Sequence, residues 1–181
     1  MIIFTGVAGS GKSIQGRMLA DHLGFPWLST GEFLRMLVSG SKRHDMLQGK
    51  LLGDKEIIRL IQKIFSLIDT HEEFILDGFP RTVEQADWLL NQMKHGQLHI
   101  TAVIHLTARE EAVEKRLLNR GRTDDNKNAI RERFNEYQQS ILPILSDFKK
   151  NGVTVYDIDG ELPVEDVYEN IKRALGLSLQ P

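Results

Sequence analysis

The segment Gly6-Val7-Ala8-Gly9-Ser10-Gly11-Lys12-Ser13 constrains this chain more than any other. It has the spacing G-x-x-x-x-G-K-[ST], follows a short apolar run at Ile2–Thr5 and opens an amphipathic stretch from Ser13 to His22. Strand, glycine-rich turn and helix in that order are the context in which a phosphate-binding loop works. Glycines let successive backbone N–H groups converge on phosphate oxygens where a Cβ would intrude. The helix start adds unpaired N–H groups and the positive end of a dipole. Lys12 is spaced to reach β and γ phosphates, and the Ser13 hydroxyl to enter a Mg²⁺ shell. Gly9, Ser10, Gly11, Lys12 and Ser13 are therefore the expected triphosphate contacts.

The rest of the chain alternates short apolar runs with helical spacing. Strands are expected at Phe25–Leu28, Phe74–Leu76, Ile100–Leu106 and Val153–Ile158. Helices are expected from a cap at Ser29 or Thr30 through Val38, and at Glu56–Ile68, Thr82–Met93, Glu110–Asn119 and Pro163–Leu175. Asn126–Lys149 reads as one long helix bent at Pro143, which has no N–H to donate. Strands interleaved with helices imply βαβ crossovers, hence an α/β fold with a parallel sheet and helices on both faces.

Composition removes several classes. The chain has 181 residues, a size suited to one domain, and no apolar run approaching the ~20 residues of a membrane span. The N-terminus lacks a secretory pattern. With no cysteine there is no disulfide scaffold, thiol nucleophile or cysteine-bound zinc, and the six histidines show no paired metal spacing. A net charge of −2 argues against nucleic acid as the main partner. A cytoplasmic monomer with small-molecule partners is the expectation.

A phosphate loop alone does not name a reaction. Two further segments narrow it: Ser29-Thr30-Gly31-Glu32-Phe33-Leu34-Arg35, opening a helix, and Asp77-Gly78-Phe79-Pro80-Arg81-Thr82, ending a strand, with Gln85 four residues after Arg81. Arg35 and Arg81 offer planar forks suited to an acceptor phosphate. Asp77, at a strand's carboxyl end beside the loop, can orient Mg²⁺-bound water. With the loop, these segments resemble the adenylate kinase family of nucleoside monophosphate kinases, nearly end to end. The resemblance implies reversible phosphoryl transfer from MgATP to AMP, giving two ADP. It implies that Thr30, Gly31, Arg35, Lys50, Leu51, Leu52, Gly78, Phe79, Pro80, Arg81 and Gln85 line the monophosphate site. Gln85 matches the family's adenine-pairing glutamine, an amide that presents donor and acceptor together. Kinases of CMP, UMP or dAMP, and a nucleotide-binding protein of the same fold with little turnover, stay open as alternatives.

Arg116, Arg120, Arg122 and Arg133 form a later basic set resembling the family's R…R-G…R-x-D-D-N…R pattern. The resemblance has Arg116 pack on the ATP base and the other three clamp phosphates, and it brings the Gly160 turn to the ATP side. The catalytic set expected is thus Lys12, Asp77, Arg81, Arg120, Arg122 and Arg133, with Ser13 and Asp77 serving Mg²⁺. Seven expected site cations in a chain of net charge −2 leave −9 on the remainder, so a focused positive cleft follows if they converge. The organisation expected is one kinase domain with a helical arm over 30–61 and a minimal lid loop over 120–125. Only Gly121 separates Arg120 from Arg122, a lid shorter than the family pattern, and some ATP hydrolysis without acceptor is expected.

Overall fold

The structure, a computed structural model, describes residues 1–47, 52–122 and 125–177, apart from the side chain of Met46. The described strands are β1 (Ile2–Gly6), β2 (Trp27–Ser29), β3 (Ile75–Asp77), β4 (Ala102–Thr107) and β5 (Val155–Asp159). They form one sheet in the order β2-β3-β1-β4-β5 with every pairing parallel. The α/β expectation holds, and β1 lies at the sheet's centre.

Alternation along the strands assigns the two faces. Ile2 and Phe4 join Ile75, Ile104 and Leu106 under α1 (Lys12–Leu23) and α9 (Val164–Ala174). Ile3, Leu76 and Val103 point the other way. There they meet α4 (Asp54–Phe65), α5 (Val83–Lys94) and α8 (Leu142–Lys150), through Ile61, Leu89 and Phe148 among others. A third cluster sits behind the phosphate loop, where Val7 meets Val113 and Leu117 of α6 (Glu110–Arg120) and Ile130 and Phe134 of α7 (Lys127–Glu136).

The stretch expected to form an arm, 30–61, holds α2 (Thr30–Leu37), α3 (Gly40–Leu47) and the first two turns of α4. Helix α3, Gly40-Ser41-Lys42-Arg43-His44-Asp45-Met46-Leu47, carries too few apolar residues to announce itself by spacing. One local expectation is corrected and a second gains a detail. Neither Ser29 nor Thr30 caps α2 through its side chain, because the Ser29 hydroxyl is spent on Asp77. The long helix expected after Asn126 runs on from Lys127 to Lys150, with a π-helical turn at Tyr137–Ile141 just before Pro143. Pro143, at the second position of α8, has no N–H for the carbonyl four residues back, Gln139, and that carbonyl lies inside the π turn.

Helix starts elsewhere follow side-chain chemistry. The Thr82 hydroxyl accepts from the Gln85 N–H and the Asn126 side chain accepts from the Ala129 N–H, capping α5 and α7. In the core, Phe148 is fully buried between α8 and the sheet. Phe148→Ala is expected to cost about 3–5 kcal/mol by urea denaturation, the cost of an uncollapsed aromatic cavity.

Candidate active site

Parallel pairing puts the carboxyl ends of all five strands on one edge, where Gly6, Ser29, Asp77, Thr107 and Asp159 lead into loops. A cavity of about 550 Å³ opens there, within the ~300–1,000 Å³ range usual for small-molecule sites. The phosphate loop forms its floor. Gly6 has φ 134°, and a Cβ there would lie 2.2 Å from the Leu106 carbonyl oxygen, so no other residue fits this turn. Lys12 Nζ donates to the carbonyls of Gly6 and Val7 at 2.7 Å each. Burial, then the nearby Arg81, Arg120 and Arg133, pull its ammonium down to about 8 against the opposing pull of Asp77.

Asp77 is buried at the end of β3. Its Oδ2 accepts from the Ser13 hydroxyl at 2.6 Å and the Ser29 hydroxyl at 3.0 Å. A carboxylate and a hydroxyl bonded at the mouth of the loop are hard oxygen donors of the kind Mg²⁺ selects, so the residues present fit that ion.

The arginines come in from three elements. Arg81 donates its Nε–H to the Gly78 carbonyl at 2.9 Å, and burial, then Arg133, hold its guanidinium below the usual range. Arg120 forks onto Asp125 at 2.7 and 2.8 Å, and Arg133 reaches the same carboxylate at 3.4 Å. Arg35 and Arg122 both approach Glu32, at 3.3 and 3.4 Å. Arg116 donates to the carbonyls of Gly160 and Glu161 at 2.7 and 3.2 Å. Gly160 presses against the phosphate loop: a Cβ there would meet the Ser10 carbonyl at 2.5 Å and the Thr107 carbonyl at 3.0 Å.

Gly9, Ser10, Gly11, Lys12, Ser13, Thr30, Gly31, Arg35, Leu52, Asp77, Gly78, Pro80, Arg81, Gln85, Arg116, Arg120, Arg122, Arg133 and Gly160 all line this cavity. Lys50 and Leu51 lie outside the described residues. Phe79 requires a correction: its ring is fully buried in the core, edge-on to Trp88, and does not line the cavity. Its ring belongs to the cluster that Ile3, Leu76 and Leu89 share on that face of the sheet. Asp125 serves Arg120 and Arg133. Arg109 sits outside the cavity, paired with Glu161 on the surface.

Gln85 is buried, with its Oε1 accepting from the Arg81 N–H at 2.8 Å and its Nε2 donating to Asp54 at 2.7 Å. An amide has two acceptor and two donor positions, so one of each is left. Thr30 Oγ1, Ser10 Oγ and Gln15 Oε1 also line the cavity, buried and with no protein partner.

Spacing did not point to Glu136 or Tyr137, which also line the cavity. Both follow Arg133 by helical steps, three and four residues on, and that step was the available signal. Burial pushes the Glu136 carboxyl up to about 7, partly offset by Arg81 and Arg133.

Comparison with known proteins agrees with this geometry. The family described as "Adenylate kinase" matches residues 4–153. The chain belongs to the adenylate kinase family. It is 34% identical to the adenylate kinase of Corynebacterium urealyticum, over 93% of this chain and 94% of that one. It is 35% identical to adenylate kinase 1 of Synechocystis sp., over 95% of each chain. An adenylate kinase of Prochlorococcus marinus is 36% identical, over 96% of this chain and 97% of its own. The enzyme class that goes with this family is ATP:AMP phosphotransferase.

In this family member Gly160→Ala forces its Cβ against backbone that cannot yield. It is expected to weaken ATP binding measured by titration calorimetry, and unchanged affinity would refute the close contact. For Glu136 the folded carboxyl titrates near 7 and the unfolded one near 4.5. Its contribution therefore destabilises the fold as pH rises through that window. Glu136→Gln is expected to raise the melting temperature at pH 8 and to change it little at pH 4, as read by thermal melts.

Proposed function

We propose that the protein transfers a phosphoryl group directly and reversibly from MgATP to AMP within this one cavity, giving two ADP. The observation that carries the reading is convergence. Lys12, Arg35, Arg81, Arg116, Arg120, Arg122 and Arg133, spread over the chain from 12 to 133, line the same 550 Å³. Moving a phosphoryl group between two anions needs two phosphate sites in line and cations between them. The loop with Lys12 serves the triphosphate, while Arg35, Arg81 and the unpartnered Thr30 hydroxyl serve the monophosphate. Arg120, Arg122 and Arg133 stabilise the charge that spreads over the transferring group. Ser13 and Asp77 are the residues that would hold Mg²⁺, which neutralises triphosphate charge when bound. The acceptor is already an anion, so no general base is required.

Base choice follows from the inventory at Gln85. Its remaining acceptor takes the adenine amino group and its remaining N–H reaches a ring nitrogen, a pattern that pyrimidine monophosphates of UMP type do not offer. The protein acts as a cytoplasmic monomer on free nucleotides. Among the described residues no helix is long and apolar enough to cross a membrane.

Initial rates with MgATP against AMP, dAMP, CMP, UMP and GMP test the reading. AMP is expected to be the fastest acceptor, and Gln85→Ala to erase most of that preference. CMP or UMP outrunning AMP would overturn the base assignment and leave the phosphate residues standing. Lys12→Ala and Arg81→Ala are each expected to cut turnover by about 10²–10³-fold, as removing one oxyanion-type donor does. Near-wild-type turnover in either would remove that residue from the mechanism. A control without acceptor should show slow ATP hydrolysis, since the single Gly121 between Arg120 and Arg122 gives little cover against water.

A further inference from the structure

His105, in the middle of β4, is buried, yet both of its ring nitrogens are engaged. Nδ1 lies 2.6 Å from Asp157 Oδ1 on the neighbouring strand β5, and Nε2 lies 2.8 Å from the Tyr137 hydroxyl. The two rings stack at 5.9 Å with 26° between their planes. The Asp157 carboxylate accepts from Nδ1–H, so Nε2 presents its lone pair and the phenol donates to it. The outer end of the chain is half-exposed: Lys149 of α8 stands 3.7 Å from the second Asp157 oxygen. The inner end is the first residue of the π turn that interrupts the helix after Arg133.

Tyr137 occupies a junction. Its ring packs on Phe134 and touches both the cluster behind the phosphate loop and the large cluster on the sheet's other side. Arg133 and Glu136, one turn and one residue before it, line the cavity with it. The π turn shifts the helical register between α7 and α8 by one residue, and it begins at Tyr137. Ile130 and Phe134 hold α7 against the cluster behind the loop and Asp125 meets Arg133, while the bond from Tyr137 to β4 is the directional tie at the turn itself.

We propose that His105 is a positioning residue: through the Tyr137 hydroxyl it anchors the π turn to β4 and so fixes the approach of Arg133 to the transferring phosphoryl group. This rests on the role given to Arg133 above. An aliphatic residue could fill the same volume in β4. What it could not supply is a directional bond, worth having where a misplacement of about 1 Å costs about 10²-fold in rate.

Tyr137→Phe removes only the hydroxyl and keeps the ring packing. It is expected to lower kcat about ten-fold with KM for ATP and AMP unchanged, because substrate contacts are intact and only the aim of Arg133 is loosened. His105→Asn should lower kcat comparably, and the double variant should fall no further than the worse single one. Spectra of protein carrying ¹⁵N-labelled histidine should show His105 as the neutral Nδ1–H tautomer, with the Nε2 resonance moving in Tyr137→Phe. A Tyr137→Phe enzyme with normal kcat and merely a lower melting temperature would overturn the proposal. So would multiplying effects in the double variant, or a His105 protonated at Nε2 alone. If His105→Asn fails to fold, the Tyr137→Phe kinetics and the spectra still decide. Arg133→Ala separates the two readings. Retained turnover there refutes the role of Arg133 itself, whereas lost turnover beside a normal Tyr137→Phe refutes only the anchoring.

Discussion

Bringing like charges together is the constraint that shapes this protein. Two unit charges at 4 Å repel by about 4 kcal/mol at an effective dielectric of 20, and seven cations line one cavity here. The fold answers with acids and carbonyls set among them. Asp125 serves Arg120 and Arg133, Glu32 serves Arg35 and Arg122, and Asp77 and Glu136 flank Lys12 and Arg81. Carbonyls of Gly6, Val7, Gly78 and Gly160 take the remaining donors. Polyphosphate must compete with these partners, and it can, since it carries more charge and more acceptor oxygens than any one of them. Burial depresses Lys12 and raises Glu136; the neighbouring arginines add to the first shift and oppose the second.

The sheet makes that crowding possible. Strands in parallel deliver their carboxyl ends to one edge, and the order β2-β3-β1-β4-β5 sets the phosphate loop between Asp77 on one side and the Gly160 turn on the other. Helices α6 and α7 then bring arginines across from the flank. Their packing behind the loop, Val113 and Leu117 with Ile130 and Phe134 against Val7, ties the basic set to the loop it serves.

Much of this was legible in the sequence, because it rests on local rules. The loop, all five strands and most helices follow from spacing, glycine placement and alternation. Nearly every expected site residue lines the cavity, since strand ends and helix starts fix where they emerge. What stayed hidden needed tertiary register. Phe79 sits within a run of site residues, but the core claims its ring. Ser29 has a capping residue's identity and position, yet Asp77, reached only through strand pairing, takes its hydroxyl. The π turn at Tyr137–Ile141 lies upstream of Pro143, and nothing local says that Tyr137 will meet a histidine 32 residues earlier. Helix α3 has no apolar stripe because most of its surface faces solvent.

The central claim is that one cavity holds both nucleotides at once, with the same cations between them. Titration calorimetry with a two-headed mimic, two adenosines joined by five phosphates, tests it most directly. The account predicts one molecule bound per chain, displaced by ATP and AMP together and only weakened by either alone. Two molecules per chain, or binding that AMP leaves unchanged, would contradict it.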